Sequence, residues 1–246
     1  MEVALLTIGD ELLAGDTTNT NATWLAERLT ERGVTVTRIL TIPDERDLIA
    51  RKVREFSDAF DAVIVTGGIG GTPDDVTVDA VADAFDRELV VSERARHAVE
   101  ETLDDIGDAV PDLDLDVDAE ATIPEGARPL LNPQGLAPGC VVENVYVFPG
   151  IPQELKAMFG EIAEEFTGEA VSRFLYTEEP EANIVPVLER IGKEFDATVG
   201  CYPDRDARHN RLKVTATDEE ALKEVTAYLR DHVETSETPV ERDWSR

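Results

Sequence analysis

The first two-thirds of the chain alternates between short apolar runs and longer segments whose apolar residues recur at helical spacing. The runs VALLTIG (residues 3–9) and DAVIVTGG (61–68) are typical of buried strands, and VTVTRIL (34–40) alternates with a β-branched bias. Between them, NATWLAERLTERG (21–33) and DERDLIARKVREFSDAF (44–60) each present one apolar face and predict helices. This alternation predicts a three-layer α/β sandwich with a mostly parallel sheet.

A second pattern begins after residue 167 and predicts strand, helix, strand, strand and helix in that order. These elements are enough for a small α+β domain. We therefore expect an α/β domain over residues 1–167, a small α+β domain over 168–235, and a flexible tail over 236–246.

The charge of the chain is strongly acidic, with 53 Asp and Glu against 23 Lys and Arg and a formal net charge of −30. The acids are spread along the sequence, as in proteins kept soluble at very high salt, where screening weakens self-repulsion. A surface of this kind disfavours nucleic acid as a partner. No apolar run is long enough to span a membrane, and the N-terminus lacks the basic start of a signal peptide, so we expect a cytoplasmic protein.

A glycine-rich stretch, VTGGIGGTPDDVT (residues 65–77), follows one of the predicted strands. It lacks the lysine of a P-loop, and Pro73 occupies the third glycine position of a dinucleotide fingerprint. What remains is a loop that leads to a helix N-terminus, where anions bind. We expect Thr72 to cap this helix and Asp74 and Asp75 to lie in its first turn.

Two interpretations of these aspartates are open. They complement the helix dipole, or at least one of them holds a divalent cation that bridges to phosphate. Asp10 follows the first strand, and ligands bind at the carboxyl ends of parallel strands, so Asp10 and the glycine-rich stretch are expected to face one crevice. Asn19 to Asn21 precede a helix, where capping is the simple explanation for any one of them.

Four segments in this order and spacing resemble the molybdopterin-binding-domain family (MoaB/Mog-like), and most closely its CinA-type branch. They are TIGDELLAGDTTNTNATWLAERL, VTGGIGGTPDDVT, LNPQGLAPG and VFPGIPQELKAMF. The resemblance covers about residues 1–166, and VGCYPD is similar to the small domain that follows in CinA proteins. One departure is Gly71, which stands where CinA-type loops usually have proline. The chain also ends before the amidase domain of larger CinA proteins, so no deamidase activity is expected.

The resemblance implies a pocket that binds a nucleotide or molybdopterin together with a divalent metal, either Mg²⁺ or Co²⁺/Mn²⁺. It assigns catalysis and metal binding to Asp10 and Asp75. The residues expected to bind the ligand are Gly67, Gly68, Gly70, Thr72, Asn19 and Asn21, joined by Pro149 and Gly150 from a strand end. A homo-oligomer is expected on the same ground.

Three functions follow from this interpretation. The first is metal-dependent hydrolysis of a nucleotide pyrophosphate such as ADP-ribose or FAD. The second is a step of molybdenum cofactor biosynthesis, and the third is a non-catalytic nucleotide- or pterin-binding regulatory module. A basic cluster around His209 (Arg205, Arg208, Arg211 and Lys213) is interpreted as surface ion pairs, with contact to phosphate or a partner as the alternative. Cys140 and Cys201 predict buried, inert thiols.

Overall fold

In the computed structural model of the protein, the described residues are 1–106, 115–204 and 209–239. The chain divides into two compact units. The first comprises Met1–Leu29 and Thr35–Thr167, and the second comprises Thr30–Val34 and Gly168–Arg246.

The first unit alternates strands and helices as the apolar pattern predicted. Its strands are β1 (Glu2–Ile8), β2 (Thr35–Ile42), β3 (Ala62–Thr66), β4 (Leu89–Val91), β5 (Thr122–Pro124), β6 (Arg128–Leu130), β7 (Gly139–Val142) and β8 (Val145–Phe148). Its helices are α1 (Asp10–Ala14), α2 (Thr20–Glu31), α3 (Arg46–Ala59), α4 (Thr77–Ala84), α5 (Glu93–Ile106), α6 (Val117–Glu120) and α7 (Pro152–Ile162).

Six of these strands form the central sheet, in the order β2-β1-β3-β8-β7-β6. The first four are mutually parallel, and β7 and β6 continue the sheet in antiparallel pairing. The prediction of a mostly parallel sheet is thereby confirmed. Strands β4 and β5 form a separate antiparallel pair.

Helices cover both faces of this sheet. Alternate residues of its central strands are therefore buried on opposite sides. On one face, Leu6 and Val65 pack in a cluster with Val53 of α3 and Val81 of α4. The other face carries Phe148, whose ring lies 6.4 Å from that of Phe159 in α7. Trp24 of α2 meets the ring of Phe159 edge-on, so α2 and α7 form the third layer.

The second unit contains β9 (Val171–Thr177), α8 (Glu181–Glu194), β10 (Ala197–Asp204), β11 (His209–Ala216) and α9 (Glu219–His232). Its strands form an antiparallel sheet in the order β10-β11-β9, which is the predicted small α+β arrangement. Of the tail predicted for 236–246, Ser236 exchanges two main-chain hydrogen bonds with Tyr176, and residues 240–246 lie outside the described residues.

Two smaller expectations concern the cysteines and the membrane. Cys140 is fully buried, and burial raises the pKa of its thiol to about 12, so this thiol is unreactive as predicted. Cys201 is only half-buried, so the prediction of two buried thiols is wrong for this residue. Within the described ranges, no helix is long and apolar enough to cross a membrane.

Candidate functional site

The predicted site residues gather at one edge of the central sheet, where its parallel strands end. Thr7 of β1 is paired with Thr66 of β3, so both strands finish at the same level. Asp10 follows β1 directly, and the glycine-rich stretch follows β3. As predicted from the parallel arrangement, the two segments lie at the same edge.

Gly67 and Gly68 make the turn after β3, and both have positive φ angles, of 97° and 65°. A Cβ atom at Gly67 would overlap the carbonyl oxygen of Ile8 in the neighbouring strand. One at Gly68 would overlap the hydroxyl of Thr77 and lie 3.3 Å from Oδ1 of Asp44. Only glycine therefore lets the chain pass this closely over the strand end.

The helix after this loop begins later than predicted. Helix α4 starts at Thr77, so the prediction that Thr72 caps it and that Asp74 and Asp75 lie in its first turn is wrong. Instead, a carboxylate oxygen of Asp75 accepts hydrogen bonds from the backbone N–H of Thr72, at 3.0 Å, and from its hydroxyl. Because Asp75 accepts these hydrogen bonds within a separate turn, helix α4 starts only after it.

A group of carboxylates lies on the side of the loop that faces β1 and β2. Asp44, which follows β2, accepts a 2.9 Å hydrogen bond through Oδ2 from the backbone N–H of Asp10. Partial burial raises the pKa of Asp44, and so do the negative charges of Asp10, Glu11 and Asp74, while the hydrogen bond from Asp10 opposes them. These four residues therefore form one electrostatically coupled group, hereafter the Asp44 cluster.

Asp75 lies on the other side of the loop, together with Glu120 of α6. Partial burial raises the pKa of Glu120, and the charge of Asp75 raises it further. Both residues line a cavity of about 200 Å³ that also touches Gly70, Gly71 and Thr72. The described contacts thus place Asp10 in the Asp44 cluster and Asp75 beside Glu120.

Asn21 and Gly150, both predicted to contact the ligand, meet each other. The side-chain N–H of Asn21 donates a 2.7 Å hydrogen bond to the carbonyl of Gly150, which follows β8. Asn21 is buried, and its Oδ1 has no hydrogen-bond partner. Pro149 is buried beside this turn, and a Cβ atom at Gly150 would lie 3.5 Å from the Cα of Gly67.

Asn19 has a local role that its sequence position already suggested. Its Oδ1 accepts a hydrogen bond from the backbone N–H of Ala22 at 3.1 Å, which caps α2. Its Nδ2 donates to the hydroxyl of Thr7 at 3.0 Å. Asn19 therefore ties the start of α2 to the end of β1.

Thr77 contributes a buried hydroxyl that no protein atom satisfies. The residue is fully buried, and its Oγ1 has no hydrogen-bond partner. The main chain of Gly68 lies directly against this hydroxyl, because a Cβ atom at position 68 would overlap it. Because unsatisfied buried polar groups are costly, this hydroxyl is a candidate partner for a ligand atom.

The donor chemistry of the Asp44 cluster fits a hard divalent cation. Mg²⁺ prefers oxygen ligands and is commonly held by one or two carboxylates together with substrate phosphates. Across residues 1–106, 115–204 and 209–239, no three Asp, Glu, His or Cys side chains converge as a ready-made metal site.

Sequence reasoning missed three residues of this edge: Asp44, Thr77 and Glu120. Asp44 could have been found, because it follows β2 just as Asp10 follows β1, and the same rule of strand ends applies to both. Glu120 lies 45 positions after Asp75, and no motif connects them. The burial of Thr77 becomes visible only in the packed fold.

The sequence matches two known domain families. Residues 4–169 match the family described as "Probable molybdopterin binding domain". The chain belongs to this family. Residues 169–240 match "FAD synthase, middle domain".

Individual relatives extend over nearly the whole chain. A protein of Archaeoglobus fulgidus is 37% identical over 233 residues, covering 94% of this chain and 97% of the relative. A protein of Pyrococcus furiosus is 34% identical over 247 residues, covering 94% and 96%. Both domains of this member of the molybdopterin-binding family are therefore shared with archaeal relatives.

Among solved structures, the protein CinA with unknown function from Thermoplasma acidophilum superposes with a TM-score of 0.61 at 31% identity. The match covers 68% of this chain and 99% of that one. The first unit is thus a MoaB/Mog-like domain of the CinA type, as its motifs predicted.

Proposed function

We propose that the protein hydrolyses the pyrophosphate bridge of a nucleotide such as ADP-ribose or FAD in a divalent-metal-dependent reaction. The observation that carries this proposal is the meeting of two opposite kinds of group at one strand edge. In this proposal the Gly67–Gly68 turn beside the unpaired Thr77 hydroxyl would receive phosphate, which the adjoining carboxylates of the Asp44 cluster would by themselves repel. A cation between phosphate and carboxylates resolves this conflict.

Each group of the protein has its own role in the proposed reaction. The glycine turn lets the diphosphate approach the main chain, and Thr77 donates its hydroxyl to a phosphate oxygen. The cation would be held by Asp10 and Asp44 on one side of the loop or by Asp75 on its other side. When bound, the cation supplies neutralisation of the diphosphate and activation of water. Water then attacks one phosphorus atom, the P–O–P bridge breaks, and two monophosphates leave.

FAD is included as a substrate because the second unit matches a domain of FAD synthase.

The decisive experiment is a panel of ADP-ribose and FAD with Mg²⁺, Mn²⁺ or Co²⁺, carried out at molar KCl. Wild-type protein is expected to release monophosphates only when metal is present. Asn in place of the carboxylate that holds the cation, Asp44→Asn or Asp75→Asn, should lower the rate by about 100-fold or more, since it removes a charge from the cation site. Asp58→Asn, on an exposed residue of α3, is the matched control and should leave the rate unchanged.

Equal background hydrolysis by wild type, Asp44→Asn and Asp75→Asn across the whole panel would contradict the proposal. The family match to a probable molybdopterin-binding domain favours a second candidate, a binding or adenylylation step of molybdenum cofactor assembly. Molybdopterin that co-purifies with the protein would support that candidate. Tight nucleotide or pterin binding by calorimetry without turnover would instead indicate a regulatory binding module.

A further inference from the structure

The cavity lined by Asp75 and Glu120 has a size and a wall that suit one part of a ligand. Its volume is about 200 Å³. Pockets that enclose a whole small-molecule ligand are larger, roughly 300–1,000 Å³. One portion of the wall is apolar and is formed by Ile69, Val78, Leu89 and Pro138. The occupant is therefore a small group with some apolar surface.

Most polar side chains of this cavity already have a partner within the protein. Oδ2 of Asp75 accepts the two hydrogen bonds from Thr72. Asp79 forms an ion pair with Arg46, whose Nη1 lies 2.8 Å from Oδ1 of the aspartate. The hydroxyl of Thr122 donates to a main-chain carbonyl. The cavity thus offers hydrogen-bond acceptors and negative charge to a ligand.

Glu120 is the exception among these side chains. It is half-buried, yet no residue in the described part of the chain donates a hydrogen bond to its carboxylate or forms an ion pair with it. A Cβ atom at Gly71 would come within 2.7 Å of its Oε1. Gly71 stands where CinA-type loops usually have proline, and this departure makes room for the carboxylate. A partly buried acceptor without a donor is costly, and a donor on a ligand would relieve that cost.

The chemistry of the cavity selects among the parts of a nucleotide. A phosphate group is excluded, because the charges of Asp75 and Glu120 repel it. A ribose fits, because its vicinal hydroxyls donate to a carboxylate, as in dinucleotide-binding folds, and its ring carbons suit the apolar wall. A bare cation would leave that wall unused. Across the described residues, no three Asp, Glu, His or Cys side chains converge to hold one.

The position of the cavity along the glycine-rich loop also matches a nucleotide. Gly70, which lines the cavity, comes two residues after Gly68, and two residues of chain span at most about 7 Å. In the proposed reaction, the diphosphate lies at the Gly67–Gly68 turn. The ribose attached to that diphosphate is therefore within reach of the cavity.

We propose that this cavity is the ribose subsite, in which the Glu120 carboxylate accepts hydrogen bonds from the 2′- and 3′-hydroxyls of the nucleotide. The inference rests on the proposed function, from which it takes the position of the diphosphate. It narrows the substrate class to ribonucleotides whose 2′- and 3′-hydroxyls are free. A nucleotide with a 2′-phosphate is rejected, because that phosphate would meet the charges of Glu120 and Asp75.

Calorimetry with α,β-methylene-ADP tests this assignment without turnover, because the carbon bridge of this analogue resists hydrolysis. Binding is measured with Mg²⁺ at molar KCl, where screening limits general repulsion by the acidic surface to about 3 Å. Wild type should bind the 2′-deoxy form roughly 10- to 150-fold more weakly than the parent analogue, the worth of one hydrogen bond to a charged group. The 2′-phosphate form should bind about 100-fold more weakly than the parent or worse.

Glu120→Gln keeps an acceptor oxygen and the size of the side chain but removes the charge. It should weaken binding of the parent analogue about 5- to 10-fold and strengthen binding of the 2′-phosphate form. Damage to the fold would weaken both. Glu125→Gln, on an exposed residue outside the cavity, removes the same charge and should change neither Kd. Gly71→Ala retains Glu120 but displaces its carboxylate, and should weaken binding of the parent.

Four outcomes would overturn the ribose assignment. Wild type binds the parent and its 2′-deoxy form equally, or Glu120→Gln leaves the preference against the 2′-phosphate form unchanged. Alternatively, Glu120→Gln abolishes Mg²⁺ binding in the absence of nucleotide, which would assign the cavity to the cation, or the parent analogue shows no saturable binding. Expected preferences in binding without any hydrolysis of ADP-ribose would instead contradict the proposed function alone.

Discussion

The backbone N–H of Asp10 donates a 2.9 Å hydrogen bond to the carboxylate of Asp44, 34 residues further along the chain. This bond joins the segments that follow β1 and β2, two neighbouring parallel strands. It also holds an acidic side chain among other acids, because Asp10, Glu11 and Asp74 all act on Asp44 electrostatically. The proposed cation would neutralise this repulsion.

Replacement of Asp44 by Asn is expected to separate the structural role of this residue from its charge. The amide oxygen still accepts the bond from Asp10, while the repulsion with Asp10, Glu11 and Asp74 disappears. Without divalent metal, the variant should therefore be as stable as wild type or more stable in urea unfolding at neutral pH. Stabilisation by added Mn²⁺, which wild type should show through binding to the folded state, should be lost.

The contribution of Asp44 to the unfolding free energy changes with pH in a definite direction. The pKa of Asp44 is raised above its ordinary value of 3.8, so the folded state binds the proton more tightly than the unfolded state. The contribution of this group to stability is present below pH 3.8 and is lost as the pH rises through its folded pKa. The unfolding free energy of wild type relative to Asp44→Asn should therefore fall as pH rises across this window. A difference that is flat with pH would contradict the assignment.

Gly68→Ala should destabilise the protein and damage the site together. Its φ of 65° is costly for any residue with a Cβ atom, by about 1–3 kcal/mol, and that Cβ atom would overlap the Thr77 hydroxyl. Gly160→Ala is the control, because Gly160 lies in α7 with nothing within 4 Å of an added Cβ atom. It should gain about 0.5–1 kcal/mol. Urea unfolding checks both, and a stability loss in the control alone would refute this account of the turn.

Thr77→Val tests whether the buried hydroxyl makes a hydrogen bond to the ligand. Valine has nearly the same shape and removes an unsatisfied polar atom, so stability should stay the same or rise. Affinity for ADP-ribose, measured by calorimetry in the presence of Mn²⁺, should fall about 5- to 10-fold, the worth of one hydrogen bond. Thr226→Val is the matched control: Thr226 in α9 is also buried with an unpaired hydroxyl. It should leave this affinity unchanged, and the hypothesis fails if both variants behave alike.

Salt should stabilise the fold. At a net charge of −30, repulsion among surface carboxylates opposes the compact state, and screening to about 3 Å at 1 M salt removes most of it. The unfolding free energy should therefore rise from low to molar KCl, and NaCl at equal ionic strength should give the same rise. Stability that does not change with KCl would show that the acidic surface has no such role.

The sequence predicted the strand-end position of the site but not the grouping of its carboxylates. Strand and helix periodicity located β1 and β3, and the rule for parallel strands then brought Asp10 and the glycine-rich loop to one edge. The start of α4 was misplaced because Asp75 accepts hydrogen bonds from Thr72 within a separate turn, and local propensity favours a helix start at either place. Whether Asp75 or the Asp44 cluster holds the cation stays a prediction for the variants above.

By itself, the sequence determined the layered α/β fold, the family, and the edge of the sheet at which the candidate site residues lie, because these depend on residue periodicity and on motifs that are contiguous in the chain. Only the tertiary structure decided which side chains meet there. Asp44 lies beside Asp10 because β2 pairs with β1 in the sheet. Glu120 of α6 acts electrostatically on Asp75, although 45 positions of sequence separate them. Electrostatic coupling and burial arise between residues distant in sequence, and their strength depends on distances that no local pattern encodes.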